Sequence, residues 1–271
     1  MDIQALAARG LVLQGCGKMG SAMLQGWLAG GLPTSSVWVQ DPYPSDWLQS
    51  LDGLHLNTGL PADPAVVLVA VKPQMMAEAL PQLAPMGNGD SLFVSVAAGT
   101  PIHFYEQVLG GDTPVIRAMP NTPAAIAKGI TAIIGNANAT DAMLDTAQGL
   151  LSAVGQVVRL QSEAQMDAVT ALSGSGPAYV FHLIEAMAAA GQALGLSEDL
   201  AMQLAKATVG GAGALAEEAG EDPAQLRVNV TSPGGTTAAA LDVLMDGNSG
   251  LPPLMARAMA AAANRSRELA Q

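Results

Sequence analysis

The 271 residues carry 23 acidic and 11 basic side chains, a formal charge of −12, with 13% of residues charged and 50% hydrophobic. Scattered basic residues in an acidic chain exclude a nucleic-acid partner, which needs clustered Lys and Arg, and no apolar run reaches the roughly 18 residues of a membrane span. One cysteine excludes an intrachain disulfide and a cysteine-based metal site, so the expectation is a soluble, cytoplasmic protein without metal, long enough for two domains.

In chain order, a short apolar strand (Leu11 to Leu13) runs into Gly15, Gly17 and Gly20, spaced G-x-G-x-x-G, and then into a helix-prone stretch from Ser21 to Leu28. Strand, glycine turn and helix is the arrangement that cradles a dinucleotide. The first glycine permits the turn, the second leaves room for the pyrophosphate, and the third lets the helix pack on the strand with its free N–H groups toward the phosphates. Cys16, inside this loop, reads as a small filler. Val37 to Val39 forms a second strand ending at Asp41. An acid about 20 residues past the last glycine can hydrogen-bond the adenosine ribose and repel a 2′-phosphate; alternatively, Asp41 only opens the turn Asp41-Pro42-Tyr43-Pro44. No Lys or Arg lies between Lys18 and Lys72, which favours NADH over NADPH.

Val66 to Val71 is an unbroken apolar run suited to a parallel strand buried on both faces. It ends in Lys72-Pro73, ahead of a predicted helix from Gln74 to Leu83. Ser91 to Ala97 ends likewise at Gly99-Thr100-Pro101, and Pro114 to Ala118 at Met119-Pro120-Asn121-Thr122-Pro123. Three strands ending in Pro- or Gly-containing turns outline the carboxyl edge of an open α/β sheet, where ligands bind. Ile130 to Ile134 and Gln156 to Arg159, around a helix from Asp141 to Ser152, complete the sheet.

Past Leu160 only segments of helical length follow: Ala164 to Leu172, Ala178 to Leu194, Glu198 to Ala216, Thr237 to Met245 and Leu254 to Leu269. The expectation is a Rossmann-type, doubly wound α/β domain over residues 1–160 and an all-α domain over 161–271. Two glycine- and hydroxyl-rich stretches interrupt the helices, Ser173 to Tyr179 and Asn229 to Thr237. The second precedes a helix, where unpaired N–H groups and the helix dipole suit a small carboxylate; the alternative is an ordinary cap by Thr236 or Thr237.

Together the glycine loop, Ala70-Val71-Lys72-Pro73-Gln74, Arg117 to Pro123, Ser173 to Tyr179, and Thr231 to Thr237 running into Ala238-Ala239-Ala240-Leu241 make the chain resemble the pyrroline-5-carboxylate reductases over nearly its whole length. The resemblance implies hydride transfer from NADPH or NADH to a cyclic imino acid, and a homodimer formed through the helical domain. It implies cofactor contacts at Gly15, Gly17, Met19, Gly20, Asn57, Ala70, Val71, Lys72, Pro73, Ala97, Ala98 and Gly99; Lys18 in the loop and Asp41 join them as candidates from the residues themselves. The resemblance puts substrate on Glu163, Asn229, Thr236 and Thr237; the Thr237 hydroxyl is the candidate partner of the ring nitrogen, and Ser232 with the N–H groups of Gly235 to Thr237 are the candidates to hold the carboxylate. Glu163 could favour the iminium electrostatically or be a solvated carboxylate at a helix start. The family mostly uses NADPH, so Asp41 is a departure. Two other readings remain: a reductase of another small imino or hydroxy acid, and a non-catalytic dinucleotide-binding sensor.

Overall fold

A computed structural model describes residues 3–269. By contact the chain divides into two units, one running to Gly174 and resuming at Ala263, the other spanning Ser175–Ala262. The sequence places this boundary after residue 160. The division falls later because the segment after Glu163 buries Met166 and Ala171, and Ser266 donates to Asp167 Oδ1 at 2.6 Å.

The first unit is built on β1 (Leu11–Gln14), β2 (Val37–Gln40), β3 (His55–Leu56), β4 (Val66–Val69), β5 (Leu92–Ser95), β6 (Val115–Met119), β7 (Gly129–Gly135) and β8 (Gly155–Arg159). They form one sheet in the order β3-β2-β1-β4-β5-β6-β7-β8. All neighbours are parallel except β6 and β7. The β1, β4 and β5 runs are buried throughout, as expected for strands covered on both faces.

Around the sheet lie α1 (Ile3–Arg9), α2 (Lys18–Ala29), α3 (Asp46–Gln49), α4 (Met76–Ala79), α5 (Ile102–Leu109), α6 (Asp141–Leu151) and α7 (Met166–Val169). Two apolar cores result. One gathers Leu13, Trp27, Val39, Ile116 and Leu150; the other gathers Val12, Val67, Leu80, Phe93 and Tyr105. Alternate residues of β1 enter opposite cores, as the two-residue period of a strand dictates. The helix predicted from Gln74 to Leu83 is α-helical only from Met76 to Ala79, with tighter 3-10 turns on either side. Pro81 and Pro85 lack the N–H that an α-helix needs.

A helix expected from Ala164 to Leu172 is likewise broken, passing from a 3-10 turn through α7 into a π-turn at Thr170–Gly174. There Thr170 and Ser173 hydroxyls donate to the carbonyls of Met166 and Val169, at 2.8 and 3.0 Å, back-bonding that distorts helices. The second unit consists of α8 (Gly176–Ala193), α9 (Glu198–Glu218), α10 (Pro223–Asn229), α11 (Thr236–Leu244) and the greater part of α12 (Leu251–Leu269). Among the described residues past 160 there is no strand.

Candidate active site

The apolar β1 delivers the chain to Gly15, whose φ of +89° places it in the left-handed region. A Cβ there would lie 3.0 Å from Ala70 O and from Val71 Cγ1, so only glycine fits this turn between two strand ends. At Gly20 a Cβ would come within 2.6 Å of Gly15 O. Gly17 is the opposite case. Nothing lies within 4 Å of where its Cβ would be, and it is the N-cap of α2 with no side chain bonded across the first turn. The first N–H groups of α2 are thus left for an anion. Gly17 and Lys18 line a cavity of about 620 Å³ that also takes in Asp41, Tyr43, Ala70 and Lys72. The open cradle, the uncapped helix and the cavity together fit the pyrophosphate of a dinucleotide. Lys18 and Pro73 are exposed, and Met19 is half-buried.

Asp41 follows β2 and is held on both oxygens: Oδ2 accepts from the Cys16 N–H at 2.7 Å and Oδ1 from the Tyr43 N–H at 2.8 Å. The turn reading is therefore met by the Tyr43 bond, and the second bond ties the carboxylate to the glycine loop. Asn57 is exposed but tied to Asp41. Its Oδ1 accepts from the Asp41 N–H and its Nδ2 donates to the Asp41 carbonyl, at 2.9 and 2.8 Å, so it positions Asp41. One sequence argument is corrected here: the absence of cations between Lys18 and Lys72 is no absence in space, because both lysines line the cavity with Asp41. Burial raises the Cys16 thiol above its ordinary value, with the Asp41 charge adding to the rise, which suits a filler and not a nucleophile.

At the end of β5, Ala97 is buried, Ala98 exposed, and Gly99 has a φ of +77°. The Ala97 N–H donates to Ser95 Oγ at 3.2 Å, and Ser95 is joined to the Tyr105 hydroxyl. Glu163 belongs to this region. Its Oε1 accepts from Arg117 Nη1 at 2.8 Å and from the Ile102 N–H, the first of α5, at 2.9 Å. Neither sequence reading of Glu163 anticipates this, since its carboxylate is neutralised by a buried arginine and braces the start of α5. The Arg117 to Pro123 and Ser173 to Tyr179 motifs also meet: Asn121 Nδ2 donates to Ser173 O at 3.2 Å, and a Cβ on Gly174 would come within 2.5 Å of Met119 Cε. Arg117 was legible only as part of a motif. Its role depends on a partner 46 residues away.

In the second unit, α10 ends at Asn229, whose Nδ2 donates to Glu221 Oε2 at 2.9 Å and whose Oδ1 accepts from Gln225 Nε2 at 2.8 Å. The loop then turns through Ser232, whose carbonyl accepts from the Gly235 N–H at 3.0 Å. Gly235, not a threonine, is the N-cap of α11, and no side chain caps that helix. The reading of Thr236 or Thr237 as caps is therefore corrected: they are the first two residues of the helix. The Gly235 N–H is used internally, which leaves those of Thr236 and Thr237. A Cβ at Gly235 would collide with the Ser232 hydroxyl, so glycine lets that hydroxyl lie over the helix start.

These features were compared with known proteins. The chain is 41% identical over 262 residues to the pyrroline-5-carboxylate reductase of Pseudomonas aeruginosa, covering 95% of each chain. It belongs to the pyrroline-5-carboxylate reductase family. The relative from Methanosarcina acetivorans is 38% identical over 94% of this chain and 96% of its own. Residues 163–269 match the family description "pyrroline-5-carboxylate reductase dimerisation", and residues 10–99 match "NADP oxidoreductase coenzyme F420-dependent". The Coxiella burnetii reductase structure superposes with a TM-score of 0.90 at 34% identity, covering 97% of this chain and 99% of that one. The Plasmodium falciparum enzyme, solved with NADP bound, gives 0.83 at 26% identity over 98% and 100%. The fold is the Rossmann-type domain with a helical dimerisation domain that the resemblance implied. The protein is an oxidoreductase that binds a nicotinamide dinucleotide and self-associates.

Proposed function

We propose that the chain, as a homodimer, reduces 1-pyrroline-5-carboxylate to L-proline. The observation that carries this reading is the 41% identity with the Pseudomonas enzyme over 95% of both chains. A bound reduced nicotinamide would supply the hydride. The residues suited to hold that cofactor are those of the glycine loop with Lys18, Asp41, the Ala70 to Pro73 segment and the Ala97 to Gly99 turn. Gly17 supplies room, and the uncapped N–H groups of α2 supply donors for the pyrophosphate.

On the substrate side, the free N–H groups of Thr236 and Thr237 and the Ser232 hydroxyl are donors for the imino acid's carboxylate, at the positive end of α11. Thr237, free of a capping role, is the hydrogen-bond partner for the ring nitrogen. A pre-protonated iminium accepts a hydride at carbon without further acid catalysis, so the work of these groups is orientation. Glu163 braces the start of α5, and with its charge already paired with Arg117 it is not the group that stabilises the iminium. The dimer reading is supported by the exposed apolar side chains of the second unit, Phe181 and Leu204 among them.

For cofactor choice, the fixed Asp41 carboxylate opposes a 2′-phosphate while Lys18 and Lys72 offset it. NADH should serve at least comparably with NADPH. The test is a spectrophotometric assay of the imine with each reduced cofactor. No turnover with either overturns the proposal, and a preference for NADPH above about tenfold overturns the reading of Asp41.

A further inference from the structure

The core that gathers Val12, Phe93 and Leu109 also holds Tyr105, which is fully buried. A phenylalanine would fill the same space without burying a hydroxyl, and a buried hydroxyl is costly unless it is hydrogen-bonded. The Tyr105 hydroxyl is joined to Ser95 Oγ, at the end of β5 and 1% exposed. Ser95 Oγ also accepts from the Ala97 N–H at 3.2 Å, and Ala97 opens the turn that runs to Pro101. The far end of that turn is held as well, because the Ile102 N–H at the start of α5 donates to Glu163 Oε1 at 2.9 Å. Tyr105 stands one helical turn after Ile102, so its hydroxyl ties the two ends of the turn to each other. Between those ends Ala98 is exposed and Gly99 takes its left-handed φ of +77°.

Sheet order decides which part of a dinucleotide this turn would meet. β1 lies between β2 and β4, and β5 lies beyond β4. A dinucleotide lies across the carboxyl edge where the strand order reverses, with its pyrophosphate at the glycine loop and its adenosine toward β2. The nicotinamide half then extends over β4 and β5. We propose that Tyr105 is a positioning residue for the nicotinamide half of the cofactor, acting through Ser95 on the turn that follows β5. The inference rests on the reading that a reduced nicotinamide dinucleotide binds at the glycine loop and reduces the imine. A serine side chain has three staggered rotamers, and the bond to Tyr105 selects the one that meets the Ala97 N–H. Without that bond the turn loses a tie to α5, and a displacement of about 1 Å between reacting groups can cost about a hundredfold in rate.

The experiment compares the unmodified protein with Tyr105→Phe and Ser95→Ala in turnover of the imine and in calorimetric titrations with NADH and with ADP-ribose, which lacks the nicotinamide. Each variant should slow turnover about tenfold or more and weaken NADH severalfold, while ADP-ribose affinity stays within about twofold. The double variant should be no slower than the slower single variant, because one residue acts through the other. A brace that merely stabilised the fold would weaken both ligands alike. Equal weakening of the two ligands, normal turnover in either single variant, or a double variant slowed by the product of the two single losses overturns the inference. Ser95→Ala removes a single oxygen atom, so its result decides the matter if Tyr105→Phe fails to fold. Absence of turnover by the unmodified protein with NADH and NADPH alike overturns instead the reading on which the inference rests.

Discussion

The two units solve the problem of burial in opposite ways. The first encloses large side chains on both faces of its sheet; Trp27, Phe93, Tyr105 and Leu68 are at most 2% exposed, and each such residue is worth about 1.5–3 kcal/mol when fully buried. The second gathers a buried cluster of no more than small side chains, Ala188, Ala201 and Ala205, between α8 and α9, and leaves Phe181, Leu194, Leu204 and Val243 largely exposed. One unit is complete as a single chain; the other has its apolar surface turned outward, as a subunit interface does. Small residues serve both, by closing tight turns in the first and flattening helix faces in the second.

The largest effect should come from breaking the first unit at its buried ion pair. Glu163→Ala leaves the Arg117 guanidinium, with a side chain 7% exposed, without a counter-charge, and should cost about 3–5 kcal/mol in chemical denaturation. Arg117→Met should cost less, about 1–2 kcal/mol, because the Glu163 side chain is 33% exposed and can rehydrate. Equal losses, or the reverse order, would show that the pair is not what braces α5.

A charge on the outward face of the second unit tests the other side of the contrast. Phe181→Asp should weaken self-association at least a hundredfold, about 2.8 kcal/mol, in sedimentation at micromolar protein. The first unit should keep its unfolding transition. Unchanged association would mean that Phe181 faces solvent in the assembly.

Thr237→Ala should change chemistry without changing stability. Because Gly235 and not Thr237 caps α11, the melting point should hold, cofactor affinity should hold, and turnover should fall about tenfold, about 1.4 kcal/mol. Thr237→Ser should restore most of it. A destabilised Thr237→Ala with normal turnover would move the ring-nitrogen partner elsewhere in the loop.

The smallest effect at neutral pH lies in the first unit. Burial raises the Tyr105 hydroxyl above its ordinary value of 10.0, ahead of opposing contributions from Ser95, Thr100 and Arg117. The folded state therefore holds this proton more tightly than the unfolded one. The resulting stability is intact below about pH 10 and is lost as pH rises through the folded value. Tyr105→Phe should flatten the alkaline arm of a stability-versus-pH curve and leave its acid arm unchanged.

Much of this contrast is legible in the sequence, for reasons that differ by element. β4 and β5 announce themselves through unbroken β-branched and apolar runs, and the Gly15 to Gly20 turn through spacing that few other structures need. β3 is only His55–Leu56. It is held by pairing with β2 and by stacking of His55 on Trp38 at 4.3 Å, and such support has no local signature. The α5 helix hides behind Pro101 in a run of aromatic and β-branched residues with modest helix propensity. Glu163 and Asn57 are the instructive cases. Both lie where family resemblance puts ligand contacts, and both spend hydrogen bonds on their neighbours, which depends on partners that folding alone brings together.

The return of the chain at Ala263 into the first unit has a consequence for synthesis. Ser266 is 5% exposed and bonded to Asp167, so the nucleotide-binding unit is finished only after the ribosome has translated the whole inserted helical unit. At about 5–20 residues per second that interval lasts roughly 5–20 seconds. During it Asp167 lacks its Ser266 partner while α8 and α9 emerge with apolar faces uncovered. Ribosome pausing within residues 175–262 would lengthen the interval, and a stop at codon 263 would spare the second unit while leaving the first without its returning segment.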